Sequence, residues 1–130
     1  MTTLDALLLC DSATRDGQSR KWTLVGVFDA VWAERFPAVH QAMDVYFRLR
    51  VTGSPGMQLF CRTPAGAMNL LATISLDPAA RGVVEGAVRL AGFELGVPGE
   101  YRFELHVDGQ PLGATTLVVA QLPTRSGLLH

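Results

Sequence analysis

The chain has 130 residues, 11 basic against 12 acidic side chains and a formal net charge of −1. It therefore lacks the cationic excess that tracks a phosphate backbone, so no nucleic-acid partner is expected. At 48% hydrophobic and 18% charged residues it is too apolar for a disordered chain, and its length suits one domain that buries a core without metal or disulfide staples.

In chain order, the first apolar run, 4–10, includes Leu7-Leu8-Leu9-Cys10, which looks briefly like the end of a lipoprotein signal. The match fails physically. No basic segment precedes it, Asp5 interrupts it, and Leu9 is not the small residue that a cleavage site needs. The run is also far too short to span a bilayer. It reads as a strand, no membrane partner is expected, and the expected location is cytoplasmic. Asp16-Gly17 turns the chain into a second strand, 22–28. Segment 30–42 carries no strand pattern and Pro37 interrupts it, which predicts a loop with at most one helical turn.

Period-two alternation is clearest over 43–51. Met43, Val45, Phe47, Leu49 and Val51 share one face; Asp44, Tyr46, Arg48 and Arg50 share the other. Weaker strands follow at 57–62, 69–76 and 83–92, with turns at 52–56, 63–66 and 77–82. Alternation returns at 101–107, and Asp108-Gly109 then gives the strongest hairpin signal, since it supplies the positive φ angles of a type I′ turn. The last strand is 112–120. Strands 4–10, 22–28 and 112–120 are apolar on both faces, which predicts central positions or covered ones. The fold class is all-β, an antiparallel β-sandwich of immunoglobulin-like character with about eight strands. A small closed barrel is the alternative. Residues 1–122 form one domain and 123–130 a loose tail.

Several segments carry a family likeness: Ala6-Leu7-Leu8-Leu9-Cys10-Asp11, Leu24-Val25-Gly26-Val27-Phe28-Asp29, Phe36-Pro37-Ala38-Val39-His40, and Pro98-Gly99-Glu100-Tyr101-Arg102-Phe103-Glu104-Leu105 with Val107-Asp108-Gly109 after it. Together they resemble a family of short bacterial proteins recorded only as a domain of unknown function. The resemblance implies a β-sandwich without an assigned activity or catalytic residues. Lys21 is the one lysine among the eleven basic residues, a usage that fits a GC-rich bacterial genome.

Few residues invite chemistry. Cys10 and Cys61 each sit in an apolar run, where burial raises a thiol pKa; they read as free core thiols of a reducing compartment. Thr52-Gly53-Ser54-Pro55-Gly56 has the wrong spacing for a nucleophile elbow and reads as a hairpin turn. His106 and Asp108 share a strand face beside Glu104 but lack a third metal ligand, so a solvated face is the simpler reading. Gly-rich phosphate loops are absent. No cofactor, metal or catalytic site is expected, and the protein reads as a non-enzyme.

Two interaction candidates remain. One is the outward row Tyr46, Arg48 and Arg50, residue types that recur in binding hot spots; Glu104 or Glu94 pairing across strands is the plainer alternative. The other is segment 30–42 with Trp32, Phe36, Pro37 and His40, because long loops on rigid sandwiches carry function. In the plainer reading its aromatics cap the core and His40 bonds a backbone carbonyl. The expected function is a non-enzymatic interaction or assembly module that binds an unknown protein partner or itself. The alternative is a small-ligand or carbohydrate binder using loops at one end of the sandwich.

Overall fold

The computed structural model describes residues 2–53, 55–76 and 81–123. Its strands are β1 (Thr3–Arg15), β2 (Trp22–Phe28), β3 (Ala30–Ala33), β4 (Ala38–Thr52), β5 (Met57–Arg62), β6 (Met68–Ile74), β7 (Arg81–Leu95), β8 (Gly99–Val107) and β9 (Gln110–Gln121). They form two sheets, ordered β2-β1-β4-β7 and β3-β9-β8-β5-β6. All pairings are antiparallel except β3 with β9, which is parallel. The core lies between the sheets. Three consecutive-strand hairpins occur among the described residues, β1–β2, β5–β6 and β8–β9. The 52–56 link is not a hairpin, as the sequence implied, but a crossing from one sheet to the other; its Ser54 lies outside the described residues, as do 77–80 of the next crossing and the tail from 124.

The order β9-β8-β5-β6 facing β4-β7 matches strands G-F-C-C′ facing B-E of an immunoglobulin sandwich. A tyrosine corner supports the match. Tyr101, 3% exposed near the start of β8, donates its hydroxyl to the Val97 carbonyl at 2.6 Å and accepts the Val97 N–H at 3.3 Å.

β4 follows its sequence pattern. Met43, Val45, Phe47, Leu49 and Val51 are at most 4% exposed and meet Leu59, Tyr101, Phe103, Leu105 and Leu117 in one cluster. Gly86 stands opposite Phe47 on β7, where a Cβ would come within 2.5 Å of the Phe47 ring. In β1 the register shifts between Leu4 and Ala6. The bulge puts Leu4 against the core in phase with Leu7 and Leu9 and frees Asp5 to pair outward.

Segment 30–42 is not a loop. It is β3, a bend at 34–37 holding a cis Phe36–Pro37 peptide, and the first third of β4, and the described residues form nine strands, in line with the expected number of about eight. The alternation was hidden because it changes phase. Ala38 and His40 pair with Leu95 and Phe93, Met43 with Leu90, and the rung between Gln41 and Gly92 is passed over. Gly92 has φ +63°, a backbone setting glycine adopts without steric cost. On both strands the core-facing residues then switch parity, from Leu90 to Phe93 and from Met43 to Ala38. A second expectation also fails: β2, apolar on both faces, is an edge strand.

Cys10 and Cys61 are free thiols, exposed by 0% and 1%. Burial pushes the Cys61 thiol up to about 11, with Glu104 adding to it; burial, then Asp44 and Asp11, raises Cys10. A disulfide reagent at neutral pH should therefore react slowly with the native protein and count two thiols after unfolding. Tyr101→Phe removes the corner hydroxyl and strands the Val97 backbone groups; denaturant melts should show a loss of about 1–3 kcal/mol.

Candidate functional site

The first candidate row lies on the outer face of the β1–β4 sheet. Tyr46 is 6% exposed there, because the β1–β2 hairpin leaves β4 after Cys10 and folds over the sheet. Trp22 comes to lie over Tyr46, with ring centroids 5.7 Å apart, and the Ala13 N–H donates to Asp44 Oδ2 at 2.7 Å. The Tyr46 hydroxyl donates to Glu85, and burial followed by that carboxylate pushes the phenol up to about 12. Arg48 reaches Asp5 at 3.5 Å and Glu85 at 3.7 Å; Arg50 reaches Asp5 at 3.1 Å. Arg89 closes on Asp44 at 2.9 Å. The row is thus occupied within its own sheet. Its acidic partners are Asp5 and Glu85, not Glu104 or Glu94: Glu104 belongs to the other sheet, and Glu94 stands opposite Val39. What hid this arrangement from the sequence is the bulge at Asp5, a non-local consequence of pairing.

The outer face of the second sheet holds a matching cluster. Glu104 is 6% exposed, and Arg62, Arg102 and His106 converge on it at 3.1, 3.3 and 3.1 Å. Phe60 covers the His106 ring at 4.6 Å between centroids. Glu104 is therefore a buried anchor rather than a solvated charge. The cluster holds one carboxylate, and no group of three or more metal-ligating side chains forms among the described residues. Asp108 is apart from it, holding the Gly56 N–H at 2.9 Å.

The second candidate segment is split by the fold. Phe36 packs partly against the core, and Pro37 follows it, exposed, in the bend. Trp32 points away from the core and is 62% exposed. His40 lies against Phe28, with ring centroids 5.5 Å apart, instead of bonding a carbonyl. Trp32 and His40 line one shallow groove of about 440 Å³ with Asp11, Val27, Phe28 and Val31. It sits where the chain passes from β2, the edge of one sheet, to β3, the edge of the other. Val25 and Val27 on β2 are each 55% exposed. Gly26 between them, at φ +67°, admits the Asp11 carboxylate, whose oxygen lies 2.2 Å from where a Cβ would stand. The sequence marked Trp32 and His40 but not the two valines, which read there as core.

Among the described residues both thiols are enclosed and His106 is bound to Glu104, and no nucleophile–base pair is formed. The geometry offers instead an apolar, aromatic-flanked edge with a single carboxylate in it.

A model described as a family of unknown function (DUF6941) matches residues 5–120. No curated protein matches the chain. Among solved structures, the alkylpurine DNA glycosylase AlkC of Pseudomonas fluorescens, bound to DNA containing an abasic site analog, is similar over 92% of this chain at 10% identity and a TM-score of 0.57. The chain spans 30% of that protein, and the likeness is one of fold alone. An immunoglobulin-like protein from Pseudomonas aeruginosa is similar over 92% of this chain and 96% of its own, at 14% identity and a TM-score of 0.49.

The Glu104 cluster gives a pH dependence. The hydrogen bond with His106, then Arg62 and Arg102, hold the carboxyl below its usual range against the opposing effect of burial. A depressed folded pKa stabilises the fold above the unfolded value, about 4.3, and the contribution is lost as pH falls through the folded value. Melting temperature should drop on acidification below about pH 5, and Glu104→Gln should flatten that drop. An unchanged acid profile in the variant would remove Glu104 from the account.

Proposed function

The chain belongs to this family of unknown function, and we propose that it acts as a non-enzymatic interaction module that binds a protein partner through the β2–β3 edge. The observation that carries the reading is the exposure of Val25, Val27 and Trp32 along one open side of the sandwich. Grouped apolar exposure of this kind marks interaction sites, whereas scattered single residues do not. Trp is also the residue most enriched among binding hot spots, since it brings large area at small entropic cost. The charge distribution supports a protein partner over a nucleic acid. Arg48, Arg50, Arg62, Arg89 and Arg102 are each engaged by a carboxylate, which leaves them poorly placed to neutralise phosphates. Two enclosed thiols suit a reducing compartment.

Trp32 and Phe36 separate binding from stability. Trp32→Ala should shift folding stability by less than about 0.5 kcal/mol, as exposed sites do, and should strip from the immobilised protein the partner captured from an extract of its own cells. Phe36→Ala should cost about 2 kcal/mol, short of the 3–5 kcal/mol of a fully enclosed ring, with capture retained by the folded fraction. Capture at the native level by both Trp32→Ala and Val27→Asp would defeat the proposal.

A further inference from the structure

The opposite side of the same sheet ends in β7, which among the described residues pairs only with β4. Its other edge has no strand beside it among the described residues, although Arg15, Arg20 and Trp22 of the β1–β2 hairpin line a cleft with Val83, Val84 and Glu85. Edge strands are normally blunted by brevity, proline, bulges or inward charge. β7 runs for 15 residues. Between Gly82 and Gly92, its two positive-φ positions, it has none of these devices. Over 83–91 it is a regular strand whose backbone groups on one side have no strand partner among the described residues.

We propose that a second copy of the chain occupies this edge, β7 pairing antiparallel with its own counterpart about a two-fold axis at Ala87. Register selects the axis. In a two-fold antiparallel pair, hydrogen-bonded and non-hydrogen-bonded rungs alternate, so symmetry requires some residue to face itself on the axis. Centring on Glu85 sets two carboxylates face to face, and centring on Arg89 sets two guanidiniums face to face. Centring on Gly86 or Val88 leaves both charges opposite uncharged residues. Centring on Ala87 sets Glu85 opposite Arg89 of the second copy, twice by symmetry.

The charges already in the sheet extend through this register. Each Glu85 holds Arg48 and Tyr46, and each Arg89 holds Asp44. The two copies then join as a row of alternating sign across the outer face. Arg89, with its side chain 53% exposed, has room to take a second carboxylate. On the core-facing side the same register sets Val84 against Leu90 and Gly86 against Val88. Val84, Val88 and Leu90 pack against the core but remain partly exposed at the open edge, and the second strand covers what they leave bare. Ala87 puts only a methyl group on the axis, while Arg15, Arg20 and Trp22 of the β1–β2 hairpin line a cleft with Val83, Val84 and Glu85 beside it. One register therefore satisfies charge, apolar cover and symmetry together.

The test uses the full chain in a concentration series by sedimentation equilibrium. The expected mass rises from 14.0 kDa toward twice that value. Ala87→Lys, which sets two ammonium groups face to face, should return it to the monomer mass, while Trp32→Ala should leave the dimer intact. Register is read separately by cross-linking, which does not depend on the lysine variant. Ala87→Cys should form a disulfide-linked dimer under mild oxidation, since residues directly opposite lie about 4.5–5.5 Å apart at Cα, inside the disulfide range. Val83→Cys and Ala91→Cys should each fail alone, their copies being about 26 Å apart along the strands, and should cross-link when the two variants are mixed. A monomer at every concentration, a dimer indifferent to Ala87→Lys, a dimer lost in Trp32→Ala, or efficient cross-linking of Ala91→Cys alone would each overturn the proposal. A monomer would leave the β2–β3 edge as a partner surface untouched.

Discussion

The burial of one strand, β4, sets the rest of the structure. Its inward column from Met43 to Val51 is all but inaccessible to water, and it is paired on both sides, by β1 and by β7. A strand held by ladders on two edges and by apolar contact on one face has no freedom of register: a slip of one residue would turn Asp44, Tyr46, Arg48 and Arg50 into the core. Everything placed by β4 inherits that certainty. Phe47 claims the space above Gly86, and Tyr46 becomes the platform on which the β1–β2 hairpin folds down.

The outer faces follow from the same constraint. With β4 fixed, its polar side needs partners, and they come from its neighbours: Asp5 through a bulge, Glu85 and Arg89 through the β7 ladder. Exposed ion pairs of this kind contribute little stability individually. Their effect is to engage Arg48, Arg50, Arg62, Arg89 and Arg102 within their own sheets. Among the described residues, the apolar β2–β3 side and the outer edge of β7 lie at opposite ends of one sheet, and β6 forms the outer edge of the other.

Where local pattern was regular, the sequence was informative. The alternation at 43–51 and 101–107 identified the two central strands and their buried faces, and Asp108-Gly109 identified the β8–β9 turn, with φ of +49° and +80° at its two residues. The immunoglobulin-like class followed from strand spacing. Reading failed at irregularities. The phase change at Gln41 and Gly92 disguised the start of β4 as a loop, and the bulge at Asp5 concealed the partner of Arg48 and Arg50. Apolar composition implied a central or covered place for β2, when its valines face solvent at an edge.

The sequence by itself determined which residues alternate, and so the class of fold, the core faces of β4 and β8 and the enclosed state of both thiols. That information is local: period two is a property of one strand, and water reads it before any partner arrives. Tertiary structure decided which strands are edges, which charges neutralise one another, and which of Trp32 and Phe36 faces outward. Those outcomes depend on the neighbour a strand acquires across the sheet, and in a sandwich that neighbour lies tens of residues away along the chain.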